Sequence, residues 1–230
     1  MPIGVIVNCC AVLFGGFAGT ALGKVITPKL QTTLSVIFGL CAMALGVVSI
    51  VKAVDMPPII LAVIVGTVAG EAVSLESKVT RAFRGVLKQL PLKSRNIDME
   101  RYITIVVIFC VSGLAFFGII TEGVTGDATV LFSKAVMDFF TAVIFASMLG
   151  AAVSFIAVPQ AVIFLTVFFL ARFIAPLISD TMMQNFIACG GILTVASGLR
   201  IAKIKEIPLA NMIPALILVL PFSAVWSRLF

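Results

Sequence analysis

Apolar runs of roughly 18–22 residues follow one another along almost the whole chain, each long enough to cross a bilayer core of about 30 Å. Nothing constrains the fold more. Hydrocarbon offers no partner to a backbone N–H or C=O, so only helices or a closed barrel can span it, and runs this long read as helices. Composition agrees: 61% of the 230 residues are hydrophobic, 11% are charged and the mean hydropathy is +1.24. The expected fold is an all-α membrane protein, a polytopic bundle of about eight transmembrane helices in one integral membrane domain over 1–230. The first run begins without a charged leader and continues past signal-peptide length, so it reads as a retained span.

The spans fall at about 3–23, 33–51, 58–75, 102–121, 132–156, 159–178, 183–199 and 208–227. Only Pro159 divides the fifth from the sixth. The one long polar segment, 76–101, reads as a surface helix followed by a turn at Pro91. Lys and Arg are retained on the cytoplasmic side. Anchoring that segment inside also places Lys24, Lys29, Arg200, Lys203 and Lys205 inside, which accounts for twelve of the sixteen cations and sends both termini outward. The five cysteines lie within apolar runs and there is no histidine, so disulfides, zinc sites and metal cofactors are not expected. The charge of +6 reflects cytoplasmic loops rather than a nucleic-acid partner; the expected partners are the bilayer, a small solute or cation, and a second copy in a homo-oligomer.

Glycines hint at internal duplication. Gly39 and Gly46 in the second span have the same spacing as Gly191 and Gly198 in the seventh, at an offset of 152 that also aligns Asn8 with Gln160. Spans one to three (3–75) and six to eight (159–228) then form an inverted repeat around central helices at 102–156, because an offset of five spans reverses direction. Chance resemblance between glycine-rich helices is the plainer alternative. Gly15, Gly19, Gly23, Gly66 and Gly70 carry small-xxx-small spacing and are expected at helix contacts. Ser147, Gly150 and Ser154 share one face of a continuous fifth helix, either as packing positions or lining a path.

Of ten carboxylates, only Glu71 and Asp138 fall within apolar runs. Such residues usually face a protein interior or a wet cavity and handle protons, ions or substrate. Asp138 has a plainer reading too, as half of an i,i+4 ion pair with Lys134. Glu71, one turn from the cytoplasmic end, either reaches the interface or joins a pathway, and it lies near the opposite face from Asp138. Asn8, Gln160, Gln184 and Asn185 carry amides near membrane depth, where an unpaired amide is disfavoured. Each makes an interhelical hydrogen bond or lines a polar path.

The run GVIVNCCAVLFGGFAGTALGK, then GEAVSLESKV, then TGD at 125–127 with SKAVMD at 133–138 and FASMLG at 145–150, then the stretch from Gly190 to Asn211, resembles the bacterial inner-membrane family called domain of unknown function 554. The resemblance covers nearly the whole chain. It implies an inner-membrane location and polar family positions at Asn8, Glu71, Asp127, Lys134, Asp138, Ser147, Asn185 and Asn211. The chain departs from the pattern with Ile163, Phe164 and Leu165 after Pro159, and with Phe139 after the aspartate.

Three functions fit unequally. A secondary transporter suits the repeat, the short loops and the few buried polar groups. An enzyme is not expected: a serine hydrolase needs a base, and an aspartyl protease needs two facing aspartates where only Asp138 is available. A channel or non-transporting scaffold is the alternative. The transporter mechanism expected is alternating access between the repeats, Asp138 taking a cation or proton from outside, with Asn8, Gln160, Asn185, Glu71, Ser147 and Ser154 as further candidate ligands.

Overall fold

A computed structural model describes residues 1–22, 26–87, 102, 105, 106, 109, 110 and 112–229. The turn expected at Pro91 lies outside the described residues. The elements are α1 (Ile3–Ala21), α2 (Pro28–Ile50), α3 (Met56–Ala72), α4 (Leu75–Leu87), α5 (Gly113–Thr125), α6 (Thr129–Leu149), α7 (Ala157–Ile174), α8 (Asp180–Ile201), α9 (Leu209–Met212) and α10 (Pro214–Leu229), with 3-10 segments at Gly150–Ile156 and Ala175–Leu177. Among the described residues five helical stretches are long and apolar enough to span a membrane, or six if the bent pair α3–α4 counts as one. The protein is an all-α, multi-pass membrane bundle. Apolar side chains such as Phe14, Val48, Phe169 and Phe173 point outward, where the surface meets lipid.

Several spans are broken rather than continuous. Thr129–Leu177 is an apolar stretch of 49 residues; as one helix it would run about 74 Å, more than twice a bilayer core. It doubles back instead. The division falls at Gly150, whose φ of +69° suits a residue without Cβ, and at the 3-10 turn that follows, while Pro159 sits inside the first turn of α7. The α-helical register expected through Ser147, Gly150 and Ser154 is therefore lost. The fourth span is interrupted at Ser112, an extended residue whose Oγ accepts the Ala115 N–H at 3.0 Å and so starts α5 afresh. Tyr102, Ile105, Val106, Phe109 and Cys110, helical and buried, precede that break. The eighth span divides between Met212 and Pro214, and α3 bends by 55° into α4 past Ser74 at φ 50°.

Glycine lets the helices approach closely. α2 and α8 cross antiparallel, with the Gly39 position against Gly198 O and Gly46 against Gly191 O; Cβ atoms there would lie 2.6 and 2.7 Å from those oxygens. α1 runs parallel to α6, setting Gly15 and Gly19 against the Phe139 and Val143 carbonyls, and Gly16 meets Ser154. Small-residue contacts of this kind replace the hydrophobic drive that lipid cannot supply between helices.

The TGD motif is a helix-stop, helix-start connector. Gly126 at φ 78° ends α5 with its N–H on Glu122 O, and Asp127 Oδ1 accepts the Thr129 N–H at 2.9 Å to open α6. Hydrogen bonds from the Thr129 side chain and from its backbone N–H hold the Asp127 carboxyl below its usual range. Glu122 is buried and accepts the Gly4 and Val5 N–H groups at 2.7 and 3.2 Å, capping the positive end of α1.

Candidate functional site

The site is assembled on α6. Lys134, Asp138 and Thr141 follow at i, i+4 and i+7, which aligns them along one stripe of the helix. Asp138 lies nine residues after Thr129, about 13 Å along the axis and so about midway along α6. Lys134 is 3% exposed and Asp138 13%, and the two form an ion pair through Asp138 Oδ2. Asn8 Nδ2 of α1 donates to the same oxygen at 2.9 Å, and Gln160 Nε2 of α7 donates to Asn8 Oδ1 at 2.8 Å. Asn8 and Gln160 are fully buried. The chain Gln160 to Asn8 to Asp138 thus ties α7, α1 and α6 together behind the carboxylate. Phe164 closes the other side, its ring centroid 5.9 Å from Lys134 Nζ, a cation–π distance.

In front of the pair lies a cavity of about 620 Å³, within the usual range for small-molecule pockets. Gln31, Thr32 and Ser35 of α2, Glu76 and Thr80 of α4, Ser112 at the α5 start, Thr141 of α6, and Ser197 and Arg200 of α8 line it. It runs from Lys134 and Asp138 to Glu76, Arg200, Lys203 and the exposed Glu206. Arg200 bonds Glu76 at 2.9 Å, Glu206 at 3.5 Å and the Ile207 carbonyl at 3.1 Å, so the mouth is fastened by an ionic tie between α4 and the α8–α9 connection. Access to Asp138 comes from this end of the bundle rather than from the end of the α6 start.

The other candidates are placed elsewhere. Asn185 is a clip: its Oδ1 accepts the Val54 and Asp55 N–H groups at 3.1 and 2.9 Å, and its Nδ2 donates to Asp55 and Ser223. Glu71 is bonded by Asn211 Nδ2, and Asn211 Oδ1 accepts the Glu76 N–H at 2.7 Å, so these two stabilise the α3–α4 bend. Ser147 Oγ donates to its own helix at Ile144 O, and Ser154 packs on Gly16 within the 3-10 segment. Neither Ser147, Ser154, Asn185 nor Glu71 is brought to the Lys134–Asp138 pair. Among the described residues no group of His, Cys, Asp and Glu is arranged to hold a metal ion. Ser112, Thr141, Glu76 and Arg200 line the cavity without having stood out in the sequence. Thr141 alone left a signal, the continuation of the Lys134–Asp138 spacing.

The family described as Protein of unknown function (DUF554) matches residues 3–224. The chain belongs to that family. It is 40% identical, over the full length of both, to the Escherichia coli K12 protein named Uncharacterized protein YqgA. It is 27% identical to the Bacillus subtilis 168 protein named Uncharacterized membrane protein YdfK, over 94% of this chain and 93% of that one. No solved structure matches it. In this DUF554 chain, the departure at Phe164 falls at the wall beside the ion pair, and Phe139 lends its carbonyl to the Gly15 contact.

Proposed function

We propose that the protein is a secondary transporter of a small solute or ion, working by alternating access in the bacterial inner membrane, and not an enzyme. One observation carries this: a cavity of about 620 Å³ penetrates from one end of the bundle to a buried ion pair midway along the apolar helix α6, and transporters bind midway along their spans. Broken helices support it, since the interruption at Ser112 lies on the cavity wall. An inverted repeat is part of the proposal. Shifting each residue by 152 exchanges the Gly39–Gly198 contact with Gly46–Gly191, and it carries Asn8 onto Gln160, its own hydrogen-bond partner. Pairs that exchange this way are what a two-fold axis in the membrane plane produces. Arg200 and Lys203 line the cavity mouth, Lys29, Lys78 and Arg81 stand within two residues of Gln31, Glu76 and Thr80 on its wall, and the start of α1 and Ser223 of α10 pack by the α6 and α8 starts at the other end. By the retention of cations inside, the mouth is cytoplasmic and both termini are outside.

The test is one cysteine at Thr141 in a variant without native cysteines, probed with a membrane-impermeant thiol reagent in right-side-out and inside-out vesicles. Labelling from both sides, without an ion current, is the result expected of alternating access. Labelling with a current indicates a channel. Labelling from the mouth side alone refutes the transport cycle and favours a scaffold, which would associate with further copies through its apolar faces.

A further inference from the structure

We propose that the floor of the cavity binds a small amino-acid-like zwitterion, one ammonium and one carboxylate or sulfonate on a short apolar frame, which opens the Lys134–Asp138 pair and engages one partner with each charged end. This rests on the transport reading of the same cavity and supplies its substrate class.

Charge balance comes first. Among the described residues the charged groups lining the deep end of the cavity are Lys134 and Asp138, whose sum is zero, while Arg200 at the mouth is occupied by Glu76 and Glu206. A simple cation bound at Asp138 leaves the Lys134 ammonium without a counter-charge, and a simple anion at Lys134 does the same to the carboxylate. An uncompensated charge at a site this dry is costly. A zwitterion exchanges one internal pair for two intermolecular ones, and every charge remains matched.

Hydrogen-bond capacity points the same way. Among the described residues both donors to Asp138 converge on Oδ2, so Oδ1 is the oxygen left for an incoming ammonium. Thr141 Oγ1 donates to Met137 O at 2.7 Å, Ser197 Oγ to Leu193 O at 2.8 Å and Ser35 Oγ to Gln31 O at 2.9 Å. Their protons are spent on their own helices, so these hydroxyls offer the cavity lone pairs and suit a ligand rich in donors. Thr141, one turn past Asp138 on the same stripe, makes the acceptor pair for the ammonium. For the anionic end, Lys134 has three donors and Asp138 as its hydrogen-bond acceptor among the described residues, leaving two for a ligand. The first turn of α5 begins at the cavity wall beyond Ser112, and its positive helix end complements the same group.

The experiment is thermal unfolding of the full chain in detergent against the twenty standard amino acids, taurine and γ-aminobutyrate. Each hit is repeated as its N-acetyl derivative, which is an anion, and as its amide, which is a cation. A saturable rise in midpoint with at least one zwitterion is expected, absent with both derivatives. It should also be lost in the double variant Lys134→Met/Asp138→Leu, in which no buried charge is stranded and whose cooperative unfolding transition reports that it is folded. An equal rise with the N-acetyl or amide form overturns the zwitterion and leaves a singly charged substrate. No rise with any probe, while Thr141→Cys still labels from both sides, overturns the substrate class and spares transport. A zwitterion-specific rise with labelling from one side only keeps the site and removes transport.

Discussion

Replacing Lys134 by methionine keeps the length of the side chain and removes its ammonium. Asp138, 13% exposed, then retains one donor, the Asn8 amide at 2.9 Å, for a full negative charge. Stranding one member of a buried ion pair costs about 3–5 kcal/mol, whereas replacing both members with apolar residues of similar volume is close to neutral. The Lys134→Met single variant should therefore lose about 3–5 kcal/mol, and the Lys134→Met/Asp138→Leu double variant should recover part of that loss, keeping a cost of about 1–3 kcal/mol for the buried Asn8 amide that loses its acceptor. For a chain of this size each kcal/mol moves the midpoint by about 2–4 °C, so the single variant falls by about 6–20 °C. Unfolding in detergent can be followed through Trp226, the only tryptophan. A loss below about 1 kcal/mol in the single variant would refute the reasoning, because Asp138 would then be hydrated through the cavity and the pair would not be desolvated. Equal damage in the double variant would refute it too, since the apolar pair should remove the stranded charge.

Three further outcomes follow from the geometry. Gly46→Ala puts a methyl 2.7 Å from Gly191 O across the α2–α8 crossing, and overpacking of this kind should cost about 1–3 kcal/mol or more in thermal unfolding. Asn185→Ala releases the part-buried Val54 and Asp55 N–H groups from their acceptor and should cost about 0.5–1.5 kcal/mol per hydrogen bond lost, while zwitterion binding per folded molecule is retained. Asp127 has a folded-state pKa below its ordinary value because Thr129 donates to it, so its contribution is present above that ordinary value and is lost as pH falls through the folded one. The stability gap between the native chain and Asp127→Asn should accordingly narrow as pH falls below about 4, as measured by midpoints across pH 3–7.

What was legible in the sequence follows from how much each residue says without its neighbours. Apolar length alone demands helices, because lipid leaves the backbone no other partner. Lys134 and Asp138 are four apart on one helix, so their pairing is local and readable; Asn8 and Gln160 each announced a need for a partner, but not that they would be each other's. The breaks were not readable. Ser112 looks like one small residue in an apolar run, and its role as a cap depends on where α5 must begin. Gly150 resembles a packing glycine until its φ is known, which is why Ser147 and Ser154 were expected to share a face. Glu122 reads as a residue at a span end because the helix it caps lies more than a hundred residues earlier in the chain. Asn185 shows the limit most plainly: an amide at membrane depth announces that it needs partners, not whether those partners are a ligand or the backbone at Val54 and Asp55.

The turn between α6 and α7 also bears on how the chain is made. Thr129–Leu177 offers the translocation machinery no hydrated loop between its two passes, since the seven residues of Gly150–Ile156 are themselves apolar but for Ser154. A stretch without a polar loop between its arms is expected to enter the bilayer as one hairpin, since the turn itself has no charge to hold it at either surface. Lys134 and Asp138 travel in the leading arm and Gln160 in the trailing one. Asn8 is synthesised long before, so α1 must wait beside the growing chain for both arms to arrive, and the polar cluster closes only when the hairpin docks on it.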